Sequence, residues 1–216
     1  MNKTVQLVNE WGAFEEMYPE AGIEDFCRHY LIKTRQAQHT EEIRGGLVPP
    51  DIDNYLLKVL GVIFNIGEFY MRQAIKDIKE INITGLYFLN SIKWLGESRK
   101  TDIINHHLAE LSSGIDTLNR LLKEKLIEER PDPEDGRARL VRITEKGEQL
   151  LFACYEKVKI GSEILFLDLS DDDKKLIIQL LKGIEPKHAR LALEARHTDL
   201  HVIKEKLIKE KNQSAT

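Results

Sequence analysis

Cysteine is almost missing from this chain of 216 residues: Cys27 and Cys154 stand far apart with no CxxC spacing, which excludes a disulfide framework and a cysteine-rich zinc site. Proline (6) and glycine (13) are also few, so collagenous and low-complexity classes fall away. No run approaches the roughly 18 apolar residues of a membrane span, and the opening MNKTVQLVNEW lacks an apolar core followed by a small-residue cleavage site. A cytoplasmic protein with no membrane partner is expected. Positive charge is not in excess: 32 basic against 36 acidic side chains leave −4, so any contact with nucleic acid must be local. Catalytic signatures are lacking too, with no P-loop, G-x-G-x-x-G, H-E-x-x-H or G-x-S-x-G, and neither an enzyme nor a cofactor is expected. What is present, 42% hydrophobic and 31% charged residues, suits one globular domain with appendages or two small ones.

Long stretches free of Pro and Gly predict a mainly α protein. Helical spacing over 4–18 (Val5, Val8, Trp11, Phe14, Tyr18) and 23–37 (Ile23, Phe26, Cys27, Tyr30, Leu31) marks an N-terminal helical extension, 1–50. It carries 5 basic against 8 acidic residues and ends at the Gly45-Gly46 and Pro49-Pro50 signals. A long apolar helix is expected from Asp51 to about Glu80, another from Thr84 to Leu95, and a short one capped by Thr101. Thr144 opens a helix to about Asp168, and Ser170-Asp171-Asp172-Asp173 caps the next, to about Gly183. Past Pro186, Leu193, Leu200, Ile203 and Leu207 form a narrow stripe on one last helix, 187–216, suited to dimerisation or docking.

Residues 101–125 read as two short helices joined by a turn at Leu111–Ser113, the spacing of a helix-turn-helix. Ser113 and Asp116 have capping-box spacing. A stripe of Ile115, Leu118, Leu122 and Leu126 turns inward and leaves Asp116, Thr117, Arg120 and Lys123 outside. Ser112 and Ser113 sit where free N–H groups would meet a phosphate, and Arg120 can pair with guanine or clamp a phosphate. Two strands over 126–144 flank the turn PDPEDG, and Arg137 and Arg139, two apart, share one side of the hairpin. Residues 99–146 nevertheless hold 10 basic and 10 acidic side chains, short of the basic excess common in DNA readers.

The run Asp135-Gly136-Arg137, five residues, Ile143-Thr144 and then Gly147 resembles the wing signature D-x-R-x5-[LI]-T-x-x-G of the MarR family of bacterial transcriptional regulators. The resemblance covers about residues 52–184, within an expected domain of 51–186. It implies a winged helix-turn-helix DNA-binding lobe with a helical dimerisation region and extra N- and C-terminal helices. It further implies a sequence-specific homodimer on double-stranded DNA, acting as a repressor. The second helix of the motif would enter the major groove, with Arg137 in the minor groove oriented by Asp135. Many members respond to a small aromatic effector, for which Phe64, Tyr70, Tyr87, Phe88 and Trp94 are the lining candidates. The Gly that usually ends the recognition helix is Lys125 here, and neither the first 50 residues nor the tail belongs to the usual core.

Two other functions stay open: a winged-helix adaptor that contacts protein instead of DNA, and a metal- or ligand-sensing helical dimer. Glu194, His197 and His201, at turn spacing on the expected last helix, are the only metal candidate, against a default of plain surface histidines. Both cysteines are expected to be buried structural thiols.

Overall fold

The computed structural model describes residues 2–36, 46–47 and 49–213. The chain divides into two compact units, residues 1–62 and 63–216, with the division inside helix α3 (Ile52–Ala74).

In the first unit, α1 (Lys3–Met17) is capped by Asn2, whose side chain accepts from the Thr4 amide at 2.9 Å. After it comes α2 (Ile23–Gln36). Aromatic packing joins the two, with Phe14 and Phe26 buried and the Trp11 and Phe26 rings edge to face at 5.1 Å. Glu10 and Lys33 add an ion pair at 2.8 Å. Cys27 is exposed, contrary to expectation, because α2 buries its neighbour Phe26 instead. Gly45, part of the expected boundary signal, lies outside the described residues.

The second unit holds the main core. Helix α3 stops at Ala74 and not near Glu80, because the chain turns there and sinks Ile75 and Ile81 into the core, the Ile78 amide donating to the Ile75 carbonyl at 2.9 Å. Asn82 caps α4 (Ile83–Leu95) by accepting from the Gly85 amide at 2.8 Å. Leu86, Phe88, Leu89 and Ile92 make α4 a helix buried along most of its length. Around it lie α5 (Lys100–His106), α6 (Leu111–Lys123) and α7 (Glu145–Leu165), contributing Ile103, Ile104, Leu118, Leu121, Leu151 and Cys154. Burying this apolar surface is what holds the unit together. A two-residue strand β1 (Ser98–Arg99), which the sequence does not signal, joins β2 (Ile127–Pro131) and β3 (Arg139–Ile143) in an antiparallel sheet of order β1-β3-β2. Ile127 pairs with Ile143 and Ser98 with Val141.

Ser170 caps α8 (Asp171–Lys182) as expected, accepting from the Asp173 amide at 3.2 Å. The expected single last helix is two: α9 (Ile184–Ala195) and α10 (Leu200–Gln213). Asp199, a favoured capping residue, restarts the helix by accepting from the His201 amide at 2.7 Å. Leu193 therefore lies on a different helix from Leu200, Ile203 and Leu207. Pro186 falls in the first turn of α9, where a missing N–H breaks no helical bond. Among the described residues, no helix is long and apolar enough to cross a membrane.

Candidate nucleic-acid interface

Helices α5 and α6 meet at Gly114. A Cβ there would stand 2.5 Å from Ile104 Cγ1, so only bare backbone permits the crossing. This contact also sets where α6 begins. The helix starts at Leu111 with Glu110 as its N-cap, three residues before the expected cap Ser113, and Glu110 makes no side-chain capping bond. Ser113 lies in the first turn, its carbonyl accepting from Thr117 Oγ1 at 2.9 Å. Thr101 likewise caps nothing: Arg99 holds the N-cap position of α5 and Thr101 is exposed one residue inside the helix.

The turn of the motif is thus His107–Glu110, and not Leu111–Ser113. Leu108 takes a left-handed conformation with φ 51°, its amide donating to the Asn105 carbonyl at 3.0 Å while the Ala109 amide donates to that of Ile104 at 3.2 Å. Such paired bonds close a helix C-terminus, normally on glycine. Helix α6 ends the same way on Lys125, φ 57°, with the Leu126 amide reaching the Leu121 carbonyl at 3.0 Å. Beside the turn, the His107 ring stacks on Phe88 at 4.1 Å and its buried Nε2 has no hydrogen-bond partner. Burial, and then the neighbouring His106, push the His107 pKa down to about 4, so the ring is neutral near pH 7.

The buried side of α6 is Gly114, Leu118 and Leu121, with Ile115 and Leu122 only partly covered. The inward stripe is therefore rotated from the expected one. Ser112, Ser113, Asp116, Arg120 and Lys123 stay exposed, whereas Thr117 is half-buried with its hydroxyl bonded inside the helix. Asn119, not foreseen, joins the exposed face one turn after Asp116 and two turns after Ser112. Its amide can pair with adenine as Arg120 can with guanine. The amides of Leu111 to Ser113 have no partner within the helix and end its positive dipole, suiting a phosphate.

The wing rests on Asp132, which is 6% exposed. Its carboxylate accepts from the Glu134 amide at 2.9 Å and from Arg99 of β1 at 2.7 Å. That amide, with Arg99 adding to it against the cost of burial, holds the Asp132 carboxyl below the usual range. Glu97 grips Arg130 through two bonds at 2.6 Å, Glu128 holds Arg142 and Glu129 holds Lys100. Four cations are thus neutralised within the lobe, while Arg120, Lys123, Arg137 and Arg139 have no carboxylate partner among the described residues. An evenly charged segment therefore still presents exposed basic side chains on α6 and the wing that no ion pair ties down among the described residues. Asp135 does brace the tip, but by accepting from the Arg137 backbone amide at 3.1 Å, which leaves the guanidinium exposed. Thr144 Oγ1 donates to the Lys125 carbonyl at 2.8 Å and accepts from the Gly147 amide at 3.0 Å. The T-x-x-G half of the motif is the joint between wing and α7.

The five aromatics do not share one environment. Phe88 is core, Tyr87 donates to Met71 Sδ at 3.8 Å, Tyr70 lies near Gly161, Trp94 is exposed and stacks on His106, and Phe64 is exposed. A cavity of about 330 Å³ lies instead at the α3–α4 corner, lined by Glu68, Arg72, Ile75, Lys76 and Asn82 among others. Glu194 lies in the last turn of α9, His197 in the link that follows and His201 in the first turn of α10, so the helix face the metal candidate needs does not exist. No group of three such side chains among the described residues can hold an ion. Cys154 is buried and its thiol pKa is raised by that burial, the opposite of a reactive cysteine.

Residues 86–147 match the model of the winged helix DNA-binding domain family. The HTH-type transcriptional repressor IacR of Pseudomonas putida is 43% identical over 89 residues, 41% of this chain and 53% of that protein. The chain thus spans about half the length of that relative. A mutant of Escherichia coli MarR complexed with operator DNA superposes with TM-score 0.55 at 20% identity, covering 62% of this chain and 98% of that one. BpsR of Bordetella bronchiseptica, whose DNA binding is regulated by 6-hydroxynicotinic acid, gives TM-score 0.56 at 20% identity over 63% and 97%. The matched domain and the shared fold together give the chain a winged-helix fold of the kind seen in MarR.

Proposed function

We propose that the protein is a sequence-specific transcriptional repressor that binds double-stranded DNA as a homodimer in the cytoplasm. One observation carries the reading: the exposed face of α6 and the wing tip hold Arg120, Lys123, Arg137 and Arg139, which have no carboxylate partner among the described residues, while Arg99, Lys100, Arg130 and Arg142 at the base of the wing are paired. Ser112 and Ser113 would meet a phosphate, Asp116, Asn119, Arg120 and Lys123 the major groove, Arg137 and Arg139 the minor groove, and Thr101 the flanking backbone. A homodimer is supported by α8, which buries none of its residues although Leu176, Ile177, Ile178 and Leu180 are large and apolar. Two-fold pairing would set the recognition helices about 34 Å apart, one turn of the duplex. The kinship with IacR supports repression, and the regulation of BpsR by 6-hydroxynicotinic acid supports release by a small aromatic acid. The α3–α4 cavity, with Arg72 and Lys76, suits such an anion, which would act by preferring a dimer geometry that does not fit DNA.

Titrating the full chain against duplex from upstream of its own coding sequence, at several salt concentrations, tests this. A DNA reader gives log K falling steeply with log salt. The absence of a complex would favour the adaptor reading.

A further inference from the structure

We infer that Arg196, at the corner between α9 and α10, is a positioning residue for the helix-turn-helix, latching the C-terminal helices to the turn that aims α6. Its Nη1 donates to Asn105 Oδ1 at 3.2 Å and its Nη2 to the Ala109 carbonyl at 3.0 Å, reaching back 91 and 87 residues. Those two acceptors stand on either side of Leu108, whose positive φ a side chain adopts only at a cost. A turn so strained persists when its surroundings over-determine it. Among the described residues no other side chain hydrogen-bonds to residues 105–110, and the nearby His107 Nε2 is unpartnered.

A guanidinium is suited to the task because its rigid fork spans two acceptors that an ammonium cannot hold together. Both acceptors are neutral and Arg196 has no carboxylate partner among the described residues; Glu194, in the same corner, faces Lys206 at 4.0 Å. Helices α9 and α10 bury no residue of their own, and this latch ties their corner to the reading head by direct hydrogen bonds. Leu111 begins α6 two residues beyond Ala109, so a shift of the turn is a shift of the phosphate-facing helix end. The C-terminal helices thereby set the affinity of α6 for DNA without touching it.

This inference rests on the DNA-binding reading above, and the test separates the two. Full-length wild type, Arg196→Ala, Arg196→Lys, Asn105→Ala and the Arg196→Ala/Asn105→Ala double variant are titrated against labelled upstream duplex at several salt concentrations, with melting and sedimentation run alongside. Losing a charged donor from a partly exposed pair predicts weakening of about three- to tenfold for Arg196→Ala. The salt slope, melting midpoint and dimer mass should stay unchanged, Arg196→Lys should recover only part, and the double variant should lose less than the sum of the singles. Unchanged affinity, or full additivity, overturns the latch. A salt slope smaller by about one, with equal loss on all sequences, also overturns it and makes Arg196 a phosphate ligand. A fall in melting that accounts for the weaker binding reduces Arg196 to a structural residue and overturns it as well. If the wild type itself forms no salt-dependent complex, the DNA-binding reading fails and takes the latch with it.

Discussion

Replacing Gly147 with alanine is the sharpest test of how the wing is joined to α7. A Cβ at this position would lie 2.0 Å from the Leu126 carbonyl oxygen, 2.9 Å from Ile143 Cγ1 and 3.0 Å from the Leu126 carbonyl carbon. The first of these is backbone, and it cannot retreat freely, because the same oxygen accepts from the Thr144 amide at 3.0 Å and from Thr144 Oγ1 at 3.1 Å. Overpacking a rigid site costs about 1–3 kcal/mol, and loss of the Thr144 cap adds about 1 kcal/mol. A total of ~3 kcal/mol corresponds to a melting midpoint lowered by roughly 6–12 °C in a unit of this size. Gly136→Ala is the matched control, since nothing lies within 4 Å of a Cβ there. Thermal unfolding followed by circular dichroism compares the two. Should Gly147→Ala melt within a degree of wild type, the close approach of α7 to Leu126 is wrong.

Other perturbations follow from the same geometry. Arg137→Ala should weaken binding to upstream duplex by about 1–3 kcal/mol with the dimer mass unchanged; binding equal to wild type would remove the wing from the interface. The lowered pKa of His107 means that the folded chain takes up its proton less readily than the unfolded one. Stability from this group is therefore complete above about pH 6.5, falls as the pH drops, and is fully lost below about 4. Allowing for the partly open site, the loss is of order 1–3 kcal/mol, and His107→Phe should remove that acid sensitivity in urea melts at pH 5 and 7. Lys125→Gly should stabilise the protein by about 1 kcal/mol, because glycine accepts the left-handed conformation at the end of α6 without the Cβ clash; a lower urea midpoint would contradict that.

Features that depend on local backbone chemistry were legible in the residues. Thr144 and Ser170 cap the helices they were expected to cap, and the hairpin falls on either side of PDPEDG. The motif itself splits physically: Asp135 shapes the tip through the Arg137 amide, and Thr144 with Gly147 makes the joint. What escaped was decided by tertiary contact. Ser113 is a better cap than Glu110, yet the fit of Gly114 against Ile104 draws the N-cap of α6 three residues further back. That shift turns Asn119 outward and Thr117 partly inward. Strand β1 is too short for periodicity to reveal. The split of the tail turns on Asp199, whose capping role competes with the long-range stripe. Charge counting is misleading for a similar reason, since a tally does not distinguish Arg130, gripped by Glu97, from Arg137, which has no carboxylate partner among the described residues.

The proposed homodimer presents α6 twice, one duplex turn apart. Hydroxyl-radical footprinting of the upstream DNA, with sedimentation of the same complex, measures this directly. The account predicts two chains per duplex and two protected major-groove patches whose centres lie about 10 base pairs apart. One protected patch bound by a single chain, or protection that does not depend on sequence, would contradict it.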